Sequence, residues 1–97
     1  MVQALSEEQV KEALWDLPGW SHKDGKLAKS FKFGSFKEAM SFMVRLGMEA
    51  EAMNHHPELR NLYNRVEVAL STHEAEGQVT ERDVKLAQVI ERFSWVQ

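Results

Sequence analysis

The sequence predicts an α+β fold in which a four-stranded antiparallel sheet carries three helices packed on one face, in the order α-β-β-α-β-β-α. Three observations predict it. Three segments open with a hydroxyl residue followed three positions later by Gln, Glu or Asp, and each continues with apolar residues at three- and four-residue steps. Two segments alternate apolar and polar residues at a period of two. The two kinds of segment interleave, so a pair of hairpins must share one sheet with helices that each have a single apolar face.

The first helix starts at Ser6-Glu7-Glu8-Gln9, with Leu5 before the cap and Val10 placed to staple across it. Val10, Ala13, Leu14 and Leu17 form its stripe, and Pro18-Gly19 ends it. Lys23-Asp24-Gly25-Lys26 then reads as a turn, after which Leu27, Lys29, Phe31 and Phe33 oppose Ala28, Ser30 and Lys32, giving a hairpin. Ser35-Phe36-Lys37-Glu38 begins a long helix over about residues 36 to 54, striped by Phe36, Ala39, Met40, Met43, Leu46, Gly47, Ala50 and Met53. Pro57 disfavours the α region for His56, so that helix finishes near the two histidines. A less regular extended piece from Glu58 to Tyr63 precedes a clear strand, Arg65 to Thr72, with Val66, Val68 and Leu70 on one side. Gly77 breaks the following loop, and Thr80-Glu81-Arg82-Asp83 opens a third helix that buries Val84, Ala87, Ile90 and Phe93.

Ninety-seven residues, 43% hydrophobic and 28% charged, match one globular domain over residues 1–97. No stretch reaches the roughly 20 apolar residues of a membrane span, and the N-terminus lacks a basic region followed by an apolar run. The absence of cysteine excludes thiolate chemistry and disulfides and fits a cytoplasmic protein. A net charge of −3 with mixed signs offers no basic field for direct nucleic-acid binding.

Chemistry concentrates in the histidines. Glu51 lies four residues before His55 on the long helix, which predicts a hydrogen bond that orients the His55 ring. His56 projects elsewhere, with Pro57 fixing its backbone, and His73 follows Ser71-Thr72 at the end of the best strand. Imidazoles suit proton transfer near neutral pH, although a histidine at a helix end commonly caps carbonyls or sits in solvent. Two imidazoles and a carboxylate can hold zinc or iron, but the adjacent pair is badly placed to chelate one ion and no His-x-x-x-His spacing occurs, so no metal site is expected. Asp83, at the fourth position of its capping box, is explained by capping alone. His22 stands apart in the first hairpin, the methionines read as core or interface filler, and Trp15, Trp20 and Trp95 read as packing residues.

An acidic residue, His-His-Pro, an aromatic, a histidine and an aspartate follow one another as Glu51, His55-His56-Pro57, Tyr63, His73 and Asp83, amid "NHHPE", "YNRV", "LSTHE" and "ERD". In these motifs and over nearly its whole length the chain closely resembles pterin-4a-carbinolamine dehydratase, the family also known as the dimerization cofactor of hepatocyte nuclear factor. The resemblance implies dehydration of 4a-hydroxytetrahydrobiopterin to the quinonoid dihydropterin and water, a hydro-lyase reaction in pterin recycling, without metal or organic cofactor. It implies His55, His56 and His73 as catalytic residues. It further implies Glu51, Pro57, Ser71, Thr72 and Asp83 as substrate-binding or orienting ones, with Ser71 and Thr72 hydrogen-bonding the pterin's amide edge. A homodimer or homotetramer is implied, as is an alternative role as a dimerising, transcriptional coactivator-like partner. For self-association the sequence offers an exposed sheet face or the helix stripe Ala39, Met43, Met48. Animal members of the family carry an aromatic pair directly after His-His-Pro-Glu, where this chain has Leu59-Arg60.

Overall fold

The computed structural model describes residues 2–94, so Trp95 lies outside the described residues. The elements run α1 (Glu7–Leu14), β1 (Ser21–Lys23), β2 (Lys26–Lys32), α2 (Phe36–Ala52), β3 (Glu58–Leu62), β4 (Arg65–Leu70), a single 3₁₀ turn (His73–Ala75) and α3 (Glu81–Phe93). The predicted order and sheet are observed: four antiparallel strands lie in the order β1-β2-β4-β3. The first hairpin closes through Asp24 and Gly25, both at positive φ (53° and 77°), a two-residue turn whose twist matches that of the strands it joins.

Alternation decides which face of the sheet is covered. Leu27 and Phe31 on β2 pair across to Leu70 and Val66 on β4, and all four are buried beneath the helices with Val68. Phe42 fills the centre, its ring 4.8 Å from that of Phe31, 5.0 Å from Phe33 and 5.7 Å from Phe93. The apolar stripe of α2 expected from spacing is therefore rotated. Ala39, Phe42, Leu46 and Ala50 face the core, whereas Phe36, Met40, Val44 and Met48 form an exposed ridge at four-residue steps. Lys29, the one charged residue among the inward positions of β2, bonds the Pro18 carbonyl at 2.8 Å and Glu91 at 2.7 Å, and Glu91 also accepts from the Trp20 indole at 2.9 Å. Trp20 packs as expected, but Trp15 does not: α1 ends at Leu14, four positions before Pro18, and leaves Trp15 86% exposed.

The capping boxes of α1 and α3 form in full. That of α2 forms only in half: the Ser35 hydroxyl accepts from the Glu38 amide, but the Glu38 carboxylate turns to the Gly34 amide, one residue too early to close the box.

Candidate functional site

Three element ends converge where the predicted residues lie: the C-terminus of α2, the C-terminus of β4 and the N-terminus of α3. The end of α2 explains why two adjacent histidines diverge. Met53 caps the helix and Asn54 takes the left-handed conformation (φ 51°). The Asn54 amide then donates to the Glu51 carbonyl and the His55 amide to the Ala50 carbonyl, both at 3.0 Å, which is the Schellman pattern. The reversal folds His55 back under the helix, where its side chain is 7% exposed, while His56 stays 62% exposed. Asn54, to which sequence reasoning gave no role, makes this turn because its short polar side chain tolerates φ > 0.

The expected partnership of Glu51 with His55 does not form. Four-residue spacing puts two side chains on one face only while the helix continues, and it ends at Ala52, before His55. Glu51 instead meets His56 (Oε1 to Nε2, 2.8 Å) in an exposed pair, and the buried His55 Nε2 lies 2.5 Å from Asp83 Oδ1. Asp83 is fully buried and divides its two oxygens. Oδ1 faces His55, while Oδ2 accepts from the Thr80 amide and from the Thr72 hydroxyl, both at 2.8 Å. Capping and contact with a histidine are thus both true of one side chain.

Thr72 also departs from expectation. Its side chain is buried, its hydroxyl lies 2.6 Å from that of Thr80, and its carbonyl accepts from Ala75 and Gly77, so it faces the interior and cannot present a hydroxyl to a ligand. The strand stops at Leu70, two residues short of the predicted end, because Thr72 pairs with Gln78 across the loop instead of continuing along β2. Ser71 is partly buried, and its hydroxyl has no partner among the described residues. His73 is exposed at the head of the 3₁₀ turn, one residue from the Thr72–Asp83–His55 network. Glu74 beside it meets Arg82 at 3.4 Å, and its carboxyl is held below the usual range chiefly by a backbone hydrogen bond, with Arg82 contributing. Pro57 is partly buried and leads directly into β3. His22 stays on exposed β1, opposite Leu27, which in turn pairs with Leu70 at the end of β4, and among the described residues it has no hydrogen bond to this cluster.

Hydrogen bonds therefore join His55, Asp83, Thr72 and Thr80 in one group and His56 with Glu51 in a second, whereas His73 and Ser71 are brought close by chain connectivity. Among the described residues no group of three His, Cys, Asp or Glu side chains is arranged to hold a metal ion, and no helix is long and apolar enough to cross a membrane. A depression of about 460 Å³ lies on the uncovered face of the sheet among Ser21, Lys23, Ala28, Ser30, Glu58 and Arg60, and none of the candidate histidines lines it.

The family described as pterin 4 alpha carbinolamine dehydratase matches residues 3–93. The chain belongs to that family. A relative from Opitutus terrae, whose name assigns it provisionally to pterin-4-alpha-carbinolamine dehydratase, is 51% identical over 96 residues and covers 99% of both chains. One from Burkholderia vietnamiensis with the same provisional name is 48% identical over 94 residues, covering 95% of this chain and 91% of its own. Among solved structures, a transcriptional coactivator/pterin dehydratase from Brucella melitensis superposes with a TM-score of 0.86 at 44% identity, covering 92% of this chain and 96% of its own. The fold and the family agree.

Proposed function

We propose that this protein dehydrates 4a-hydroxytetrahydrobiopterin to the quinonoid dihydropterin and water by histidine general acid–base catalysis, in pterin recycling for aromatic amino acid hydroxylation in the cytoplasm. The observation that carries the reading is the buried His55–Asp83 pair set beside two exposed histidines whose rings are open to a ligand. The reaction breaks the C4a–O bond, sends the oxygen out as water after it gains a proton, and forms the C4a=N5 double bond as N5 loses its proton. Two proton-transfer groups on opposite sides of a flat ring meet that demand. His55, oriented by Asp83, serves one end and His73 the other. His56, held by Glu51 and set in place by Pro57, contacts the ring, while Ser71 hydrogen-bonds the amide edge. The chemistry asks for no metal ion or organic cofactor.

The test is the dehydration rate of chemically generated 4a-hydroxytetrahydropterin, followed by its ultraviolet change, for wild type, His55→Ala and His73→Ala with a chelator present. Acceleration by wild type that survives chelation and falls at least about tenfold in either variant supports the reading, since general acid–base groups contribute about 10²–10⁴-fold. Wild type no faster than buffer refutes it.

A second reading concerns assembly. Phe36, Met40, Val44 and Met48 leave one ridge of α2 apolar and exposed, and a homodimer or homotetramer that covers it accounts for the ridge. The stripe expected from sequence is corrected here, because Ala39 is buried in the core. Val44→Glu is expected to lower the mass measured by light scattering, and an unchanged mass assigns assembly to another surface.

A further inference from the structure

The hydrogen bonds behind His55 run in only one sense. The first donor is the Arg82 backbone amide, which gives its proton to the Thr80 hydroxyl oxygen at 3.2 Å. Asp83 Oδ2 accepts from the Thr72 hydroxyl, so that hydroxyl has spent its single proton. The 2.6 Å contact between the two hydroxyls must then be filled by the Thr80 proton, donated to Thr72. Protons thus point from Arg82 through Thr80 and Thr72 to Asp83, and the Thr80 amide adds a second donor at the same oxygen. Oδ2 thus receives two donated hydrogen bonds, and because an ionised carboxylate only accepts, the His55 nitrogen facing Oδ1 carries the hydrogen.

We infer that Thr72, backed by Thr80, is a positioning residue that fixes the tautomer of His55, leaving Nδ1 as the nitrogen that exchanges a proton with substrate. Three further observations agree. Among the described residues no buried side-chain nitrogen or oxygen lacks a partner, and His55 Nδ1 has none, so Nδ1 lies at the solvent-touching edge of a ring otherwise enclosed. Thr72 is itself held rigidly, its amide on the Gln78 carbonyl at 2.9 Å and its carbonyl taken by Ala75 and Gly77, each at 3.0 Å. The Asp83 carboxylate sits in the first turn of α3 with its rotamer determined from both sides, by the cap and by Thr72. A hydrogen-bonded partner that holds an imidazole in one tautomer and orientation acts on the reacting nitrogen across the ring.

The catalytic consequence rests on the dehydratase reading, whereas the tautomer rests on hydrogen-bond geometry alone, and one experiment separates them. Nitrogen-15 chemical shifts of the His55 ring, assigned by difference with His55→Gln, are recorded for wild type, Thr72→Val and Thr72→Ser alongside dehydration kinetics. Wild type is expected to show hydrogen on Nε2 and a lone pair on Nδ1. Thr72→Val is expected to mix the tautomers and to lower kcat about tenfold with KM little changed, the scale of one lost hydrogen bond to a charged group. Thr72→Ser is expected to restore both signals, which a packing defect alone does not produce. Hydrogen on Nδ1 in wild type overturns the inference, even if Thr72→Val fails to fold. An active Thr72→Val with unchanged shifts and kcat also overturns it, without touching the dehydratase reading. The expected tautomers in a protein that does not accelerate dehydration refute the dehydratase reading while upholding the positioning role.

Discussion

Replacing Asp83 by asparagine tests the site at its most constrained point. The amide has one accepting oxygen and one donating nitrogen, and the structure dictates which goes where. The Thr80 amide can only donate, so the asparagine oxygen must take the place of Oδ2, where it also keeps the Thr72 hydroxyl. The amide nitrogen then faces His55 Nε2, which has to give up its hydrogen and become an acceptor, moving the ring proton to Nδ1. Two of the three hydrogen bonds survive and the third re-forms in reverse, so the exchange of a charged for a neutral partner costs about 1–1.5 kcal/mol of stability. Asp83→Ala loses the cap, about 1 kcal/mol, and strands buried partners at about 1–3 kcal/mol each. With His55 and Thr72 the two stranded partners, the expected total for alanine is roughly 3–7 kcal/mol, a large part of the about 5–15 kcal/mol a native fold commands. Urea unfolding should therefore show a folded Asp83→Asn and a marginal Asp83→Ala. Dehydration by folded Asp83→Asn should fall by about 10²–10⁴-fold, the whole general acid–base contribution of His55. A folded Asp83→Asn that turns over at the wild-type rate refutes the claim that Asp83 works through His55.

Two other perturbations separate the site from its scaffold. Glu51→Gln removes the charge from a pair whose side chains are both largely exposed, so stability should change by less than about 0.5 kcal/mol in urea unfolding. Its rate should drop far less than that of His55→Ala, and an equal drop gives Glu51 the orienting task assigned here to Asp83. Phe42→Ala empties the centre of the aromatic cluster and should cost about 3–5 kcal/mol in the same unfolding measurement, with dehydration per folded molecule retained.

Periodicity was a sound guide wherever one force acted on a segment. The β2 and β4 alternation and the helix starts at Ser6 and Thr80 were legible because burial of one face and satisfaction of end amides are local demands with fixed spacing. The α2 stripe was less so. Its exposed ridge of Phe36, Met40, Val44 and Met48 is as apolar as its buried face of Ala39, Phe42, Leu46 and Ala50, where Phe42 is set against three other aromatic rings. Trp15 failed for a related reason: a tryptophan is ordinarily buried, but α1 ends at Leu14 and turns it outward.

The candidate residues themselves stood in the sequence, but their pairing did not, and the difference lies in a single turn. The spacing rule that joins Glu51 to His55 assumes a helix that continues, whereas Asn54 reverses the chain and exchanges the partners: Glu51 to His56, Asp83 to His55. Asp83 was hidden more deeply. A carboxylate three residues after a threonine satisfies capping completely, so the spacing carries no sign of a second task. The family resemblance gave Asp83 an orienting role, but the histidine it meets becomes visible only when the fold brings the end of β4 and the end of α2 to the two sides of the same carboxylate, because capping occupies one oxygen and leaves the other free. An aspartate that caps a buried helix start is already rigid and already desolvated, and a histidine placed against its spare oxygen inherits both properties without further structure.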